Sequence, residues 1–279
     1  MNSQKRMELV IDGAPARRLR SALADVWAFR GTIRAFAERD IRVKYKQTAL
    51  GVAWAVIQPL AFMAIFTLTI GRVAEVSEGH VPYAAFSLSA LVPWTFIATG
   101  VSFGANGILM DAAMVRRVYF PREVPVLAAV AGASVDFGIG IVLFAVIGPF
   151  LGANVSWWWL LTPVLFLFLA TLASAVAIPL AAMNVYYRDF RFAIPFAVQL
   201  WLFASPVAYP LSVVPPEWQP LYVALNPAAG LLASFSSVLA AGTAPNWTYL
   251  GVSLLGTFVI GLLGYLLFKR LEPNFADVI

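Results

Sequence analysis

Residues 49–70 contain no ionisable side chain over 22 consecutive positions. As a helix that run is about 33 Å long, enough to cross the hydrocarbon layer of a bilayer, and nothing in a water-soluble domain calls for it. Further apolar runs follow at 83–104, 124–151, 157–182, 192–210 and 247–268. With 61% apolar residues, 12% charged residues and a mean hydropathy of +0.81, the chain reads as an integral membrane protein with no length left for a large soluble domain. Membrane lipids are its solvent, and nucleic acid is not an expected partner. The expected fold is all-α and polytopic, with six transmembrane helices.

The connections carry the charge. Residues 106–123 bring together Asp111, Arg116, Arg117, Arg122 and Glu123, which hydrocarbon does not accommodate, so this stretch reads as a loop with one short helix. Residues 221–241 are long and apolar enough to cross, but Pro215, Pro216 and Pro220 precede them and Asn226-Pro227 breaks them. Charge parity decides their course. With six spans, the N-terminal segment, 111–123, 188–191 and the C-terminus share one side, which holds 18 of the 19 Lys/Arg and leaves only Arg72 across the membrane. A seventh span would move Lys269 and Arg270 outside, against the tendency of Lys and Arg to stay cytoplasmic. Residues 213–241 are therefore predicted to re-enter from the outer face as two short helices, covered by protein or lining a cavity. Both termini are then expected in the cytoplasm. Residues 1–48 carry 11 Lys/Arg and no uninterrupted apolar core, so they do not read as a cleavable signal. No repeat relates the first three spans to the last three, which argues against a secondary transporter built from duplicated halves.

Residues 32–46 set Ile33, Phe36, Ala37 and Ile41 on one helical stripe and Arg34, Glu38, Arg42 and Lys46 on another. This predicts an amphipathic helix in the membrane interface, with Thr32 as its N-cap. Its cations can fix topology and touch anionic lipid, or in addition hold a soluble partner and offer charge to an anionic substrate. Catalytic groups are scarce. There is no cysteine and no GxxxxGK[ST] loop, and the single histidine, His80, shares a short link with Glu75 and Glu78 that reads as a solvated turn. No enzyme activity and no cofactor of its own are expected of this chain. Asp136, the one acid deep in a span, must be neutral, paired or wet. A hydrogen-bonded or salt-bridged acid near Gly132, Ser134 and Gly138 is the simpler account, and a proton relay is the other.

The segments RDIRVKYKQTALGVAWAVIQPL, VPYAAFSLSALVPWTF, VYFPREVPVLAAV, NVYYRDFRFAIPFAVQLWLFASPVAYPLSVVP, LNPAAGL and FADVI occur in that order along residues 29–279. Together they closely resemble the membrane subunit of ATP-binding-cassette polysaccharide exporters, whose members carry O-antigen, capsule or teichoic acid chains across the bacterial inner membrane. The resemblance implies one permease domain over 29–279, behind a cytoplasmic extension 1–28, and a homodimer. Two copies of a cytoplasmic ATPase would bind ATP and Mg for it, and a lipid-linked polysaccharide, O-antigen first among the candidates, would be the cargo. Arg39, Arg42, Lys44 and Lys46 would then receive the lipid pyrophosphate, while Arg34, Glu38, Asp111, Arg116, Arg117 and Tyr119 would meet the ATPase. The re-entrant helices would form a periplasmic gate with Trp218, Tyr222, Asn226 and Pro227. Trp54, Phe62 and Phe66 of the first span, with Trp201, Phe203 and Tyr209 of the fifth, would offer aromatic faces over which varied sugars slide. An exporter of another lipid or of a drug is the alternative within this class. A proton-coupled secondary transporter acting through Asp136 is the alternative outside it.

Overall fold

The structure is a computed structural model and describes residues 24, 26–46, 51–71, 81–118 and 120–275. All regular secondary structure among them is helical. In chain order these are α1 (Arg30–Lys46), α2 (Gly51–Gly71), α3 (Tyr83–Met110), the short α4 (Ala112–Arg117), α5 (Glu123–Leu151) and α6 (Trp157–Tyr186). There follow α7 (Phe190–Phe203), α8 (Gln219–Leu225), α9 (Pro227–Ala241) and α10 (Trp247–Leu271). Helices α2, α3, α5, α6 and α10 are long and apolar enough to cross a membrane.

Helix α3 is the axis of the bundle: 78% of its apolar window is buried, against 11% for α2. Small residues bring its neighbours close, because without a side chain two backbones can approach to packing distance. A Cβ on Gly104 would lie 2.8 Å from the Ala177 methyl of α6, and one on Gly107 would lie 2.9 Å from the Pro125 carbonyl oxygen of α5. At the α3–α5 crossing nearer the other end, a Cβ on Gly140 would meet Val92 at 2.8 Å. Rings of Phe96, Phe137, Phe166 and Phe235 fill the space these seams enclose.

One end of the bundle collects its charges. The Lys269 ammonium near the end of α10 lies 2.6 Å from Glu123, the first residue of α5, and Tyr186 at the end of α6 donates to the Leu271 carbonyl at 2.8 Å. Asn184 donates to the Ala105 carbonyl and to the Asn106 amide oxygen, each at 3.0 Å, tying α6 to α3. The Lys269 end of α10 therefore sits with the Glu123 end of α5. That is the placement expected when the segment between α7 and α10 does not cross.

The path of α8 and α9 agrees. The two helices meet at a bend of 112°. Gln219 accepts from Tyr249 near the start of α10, Pro227 at the bend packs against Gly256, and Gly230 is back at the level of Tyr249. Asn154 then donates to the Ala240 carbonyl at the far rim. The segment thus descends about 10 Å along α10, from the level of Tyr249 to that of Gly256, and returns, as the re-entrant reading requires. Glu217 is exposed ahead of α8, and Asp189 is exposed ahead of α7 at the charged end. Single cysteines test this directly, since the chain has none of its own. Glu217→Cys is expected to react with an impermeant maleimide on intact cells and Asp189→Cys only after lysis, and the reverse pattern would overturn the topology.

Several boundaries differ from the sequence expectation. Helix α3 runs to Met110, so residues 106–110 are helical rather than loop, because Asn106 is satisfied by Asn184 inside the bundle. The fifth span, expected over 192–210, is helical only to Phe203. Its 14 residues reach about 21 Å, and non-helical chain from Ala204 to Pro210 covers the remaining depth. Thr32 lies inside α1, which starts at Arg30, and is not its N-cap.

Candidate functional site

The predicted apolar stripe of α1 is inward: Phe36 and Ala37 are buried, Ile33 and Ile41 half-buried. The helix does more than rest on a surface. Ile41 lies against Gly132 of α5, the Phe36 ring meets Phe120 edge-on at 5.8 Å, and Lys44 and Tyr45 reach Asp136. Contacts advance together along α1 and α5, so α1 docks lengthwise on the bundle. Asp136 is accordingly an ion-paired acid, with Lys44 on one oxygen and the Tyr45 hydroxyl on the other. Burial, reinforced by the bond to Asp136, raises the Tyr45 pKa and keeps it a donor.

Arg39 is engaged too. Its guanidinium donates to both oxygens of Asp111 at 2.7 and 2.9 Å and to Asp40 at 2.7 Å. The bond to Asp111, first among its causes, pushes the Arg39 pKa above its ordinary value. Two of the four predicted entrance cations are thus neutralised within the chain. Arg42 and Lys46 are exposed, and among the described residues neither has an ion-pair partner. Arg34 and Glu38 are exposed and bonded to each other at 2.7 Å. Beyond Asp111, Arg117 lies exposed in α4 with Arg116 beside it in sequence, and Arg122 donates to the Val115 carbonyl, closing the loop. Tyr119 falls outside the described residues, as do Arg72, Glu75, Glu78, His80 and residues 1–23.

The predicted aromatics divide. Trp54, Phe62 and Phe203 are exposed on the chain, whereas Phe66 is buried against the bundle. Trp201 is half-buried, edge-on to Trp94 of α3 at 5.6 Å, with its indole N–H donated to the Asn226 side-chain oxygen at 2.9 Å. Helices α2 and α7 both rest on α3. Asn226 at the bend also donates to the Ala204 carbonyl at 2.8 Å and to the Ser205 hydroxyl at 2.9 Å. Tyr222 donates to Ala204, and its hydroxyl lies 3.2 Å from that of Tyr209. Pro227 is buried against α10 and Trp218 is exposed. One amide thus fastens the re-entrant bend to the end of α7, satisfying polar groups that would otherwise be costly at this depth.

The arrangement is a helical bundle with charged loops at one end and a polar latch on a re-entrant hairpin at the other. Residues 32–240 match the family model of the ABC-2 type transporter. The chain belongs to that family. An ABC-2 membrane subunit works with an ATP-binding-cassette ATPase, so such a partner follows from membership. The relatives include the O-antigen export system permease protein RfbA of Myxococcus xanthus, 29% identical over 215 residues, which cover 77% of this chain and 82% of that protein. Two RfbA permeases of Klebsiella pneumoniae are 22% and 24% identical over 243 residues, 86% of this chain and 92% of each relative.

Two features of this ABC-2 chain went unread in the sequence. The buried Glu123 is held by Tyr265 and Lys269, 142 and 146 residues further along the chain, a separation no local pattern reveals. Gln58 is the other, although an amide inside a charge-free run is itself a signal. It lines a cavity of about 210 Å³ together with Trp54, Thr95, Thr99 and Asp136.

Proposed function

We propose that this chain is the membrane half of an ATP-driven exporter that moves a lipid-linked polysaccharide of the O-antigen class from the cytoplasm across the inner membrane. The observation that carries the reading is the collinear likeness to three permeases named for O-antigen export, over 77 to 86% of the chain. The charged end, with α1 and α4, faces the cytoplasm in this reading, and the latched bend faces the periplasm. Met110, Met114 and Val118 are exposed at a helical spacing on the loop carrying Asp111 and Arg117, an apolar strip suited to the ATPase partner. Two chains and two ATPases make the complex. The exposed face of α2, with Trp54, Ile57 and Ile65, would meet the second copy or the cargo between them. The chain itself performs no chemistry; ATP and Mg belong to the partner.

Deleting the chain is expected to leave lipid-linked polymer accumulating in the cytoplasm and none on the surface; normal surface glycan would end the proposal. A finer test uses Arg42 and Lys46, the two predicted entrance cations with no ion-pair partner among the described residues. Arg42→Gln combined with Lys46→Gln is expected to insert normally, because the remaining inside cations still set orientation, and to lower polymer-stimulated ATP hydrolysis and export severalfold. Unchanged export at unchanged protein level would reduce these cations to topology signals.

A further inference from the structure

The cavity enclosed by α1, α2, α3 and α5 has no occupant in this scheme, and its walls are unusual for membrane depth. Gln58 has an exposed side chain and, among the described residues, no side-chain hydrogen bond; Thr99, half-buried, has none either. Asp136 is 14% exposed at its side chain, and each of its oxygens takes one donor, Lys44 or Tyr45. A carboxylate oxygen can accept two, so one site on each remains. The Trp54 indole is 53% exposed at the same opening.

Charge selects the kind of occupant. Lys44 is balanced by Asp136, so the cavity offers no net positive potential, and a phosphate placed there would face a carboxylate. A purely apolar tail would leave Gln58, Thr99 and Asp136 without partners, at about 1–3 kcal/mol for each buried group. A neutral ring bearing several hydroxyls satisfies all of them: hydroxyls donate to Asp136 and the Gln58 oxygen, accept from the Gln58 amide and Thr99, and the C–H face covers the indole.

We propose that this cavity is a saccharide subsite that holds one neutral sugar ring of the cargo, while the exposed Arg42 and Lys46, on the same helix as Lys44 and Tyr45, take the phosphate. The proposal rests on the reading that the cargo is a polysaccharide. It makes Lys44 a positioning residue, which pairs with Asp136 and aims it into the cavity, and not a ligand of the pyrophosphate.

Gln58→Cys, in the full chain assembled with its ATPase in inside-out vesicles, gives the test, with the rate of modification by N-ethylmaleimide as readout. Lipid-linked polysaccharide is expected to slow modification severalfold, polyprenyl pyrophosphate without sugars to leave it unchanged, and Val142→Cys on the exposed face of α5 to be unaffected by either. Equal protection by the sugar-free lipid would make the cavity a phosphate or lipid site and overturn the proposal. Absence of protection in vesicles whose ATPase still responds to the polymer would overturn the subsite alone. Absence of both protection and ATPase response would remove the exporter reading with it. Thr99→Cys reads the same cavity from α3 and decides the matter should Gln58→Cys not accumulate.

Discussion

Lys269→Met is expected to leave little folded protein in the membrane. Glu123 is 1% exposed, with Lys269 at 2.6 Å and the Tyr265 hydroxyl donating at 2.9 Å, and its second oxygen has no hydrogen-bond partner among the described residues. Removing the ammonium leaves a carboxylate out of reach of water with one neutral donor. Breaking a buried pair from one side costs about 3–5 kcal/mol, a large part of the roughly 5–15 kcal/mol that holds a typical fold together. Glu123→Gln in the same chain removes the orphaned charge and should restore most of the loss. Thermal unfolding and monodisperse yield in detergent measure both. A single variant as stable as the parent would show that Glu123 is not held by this pair.

Asn226→Leu is expected to strike transport rather than folding. It removes the acceptor for the Trp201 indole and the donors to Ala204 and Ser205 together, leaving the Tyr222 hydroxyl on the Ala204 carbonyl as the remaining tie between this segment and the end of α7. Each polar group left unsatisfied costs about 1–3 kcal/mol, and one or two kcal/mol shifts a two-state balance by about 5–30-fold. The packing of α9 on α10 through Gly230 and Pro227 is untouched, so the chain should still insert and bind its ATPase. Export per molecule should fall sharply, and a cysteine at Ser205, a fully buried position, should become reactive to impermeant maleimide in the Asn226→Leu background. Asn226→Asp keeps the acceptor for Trp201 and loses the amide donors, so it should fall between. Normal export with Ser205→Cys still protected would exclude a latch.

The spans were legible because hydrocarbon imposes its thickness on composition, and nothing else in a chain demands 22 residues without a charge. The re-entrant course of 213–241 was legible for a different reason, since the position of Lys269 and Arg270 depends on the parity of everything before them. The short α7 was legible only in part: Pro206 has no N–H to continue the helix and disfavours helical backbone at Ser205, so the run to 210 was drawn too long. The Asn226 amide that takes the Ala204 carbonyl and the Ser205 hydroxyl comes from another part of the chain, and no local pattern announces it. The entrance cations show the same limit. Arg39 and Lys44 look no different from Arg42 and Lys46 in the sequence, and only the arrival of Asp111 and Asp136 separates cations that hold the bundle from cations that face outward.

Helix α10 touches both halves of the machine. At one end Lys269 grips Glu123, two residues after the chain leaves Pro121 and the loop of α4; at the other, Tyr249 holds Gln219, Ser253 abuts Gly230 and Gly256 receives Pro227. Its 25 residues form an unbroken rod of about 37 Å, and close-packed interiors transmit strain without absorbing it. A displacement imposed at the Lys269 end would therefore be carried along α10 to the hairpin. Joined in this way, the loop of α4 and the re-entrant hairpin are two ends of one lever, so a substitution that loosens either grip would uncouple them without touching the residues in between.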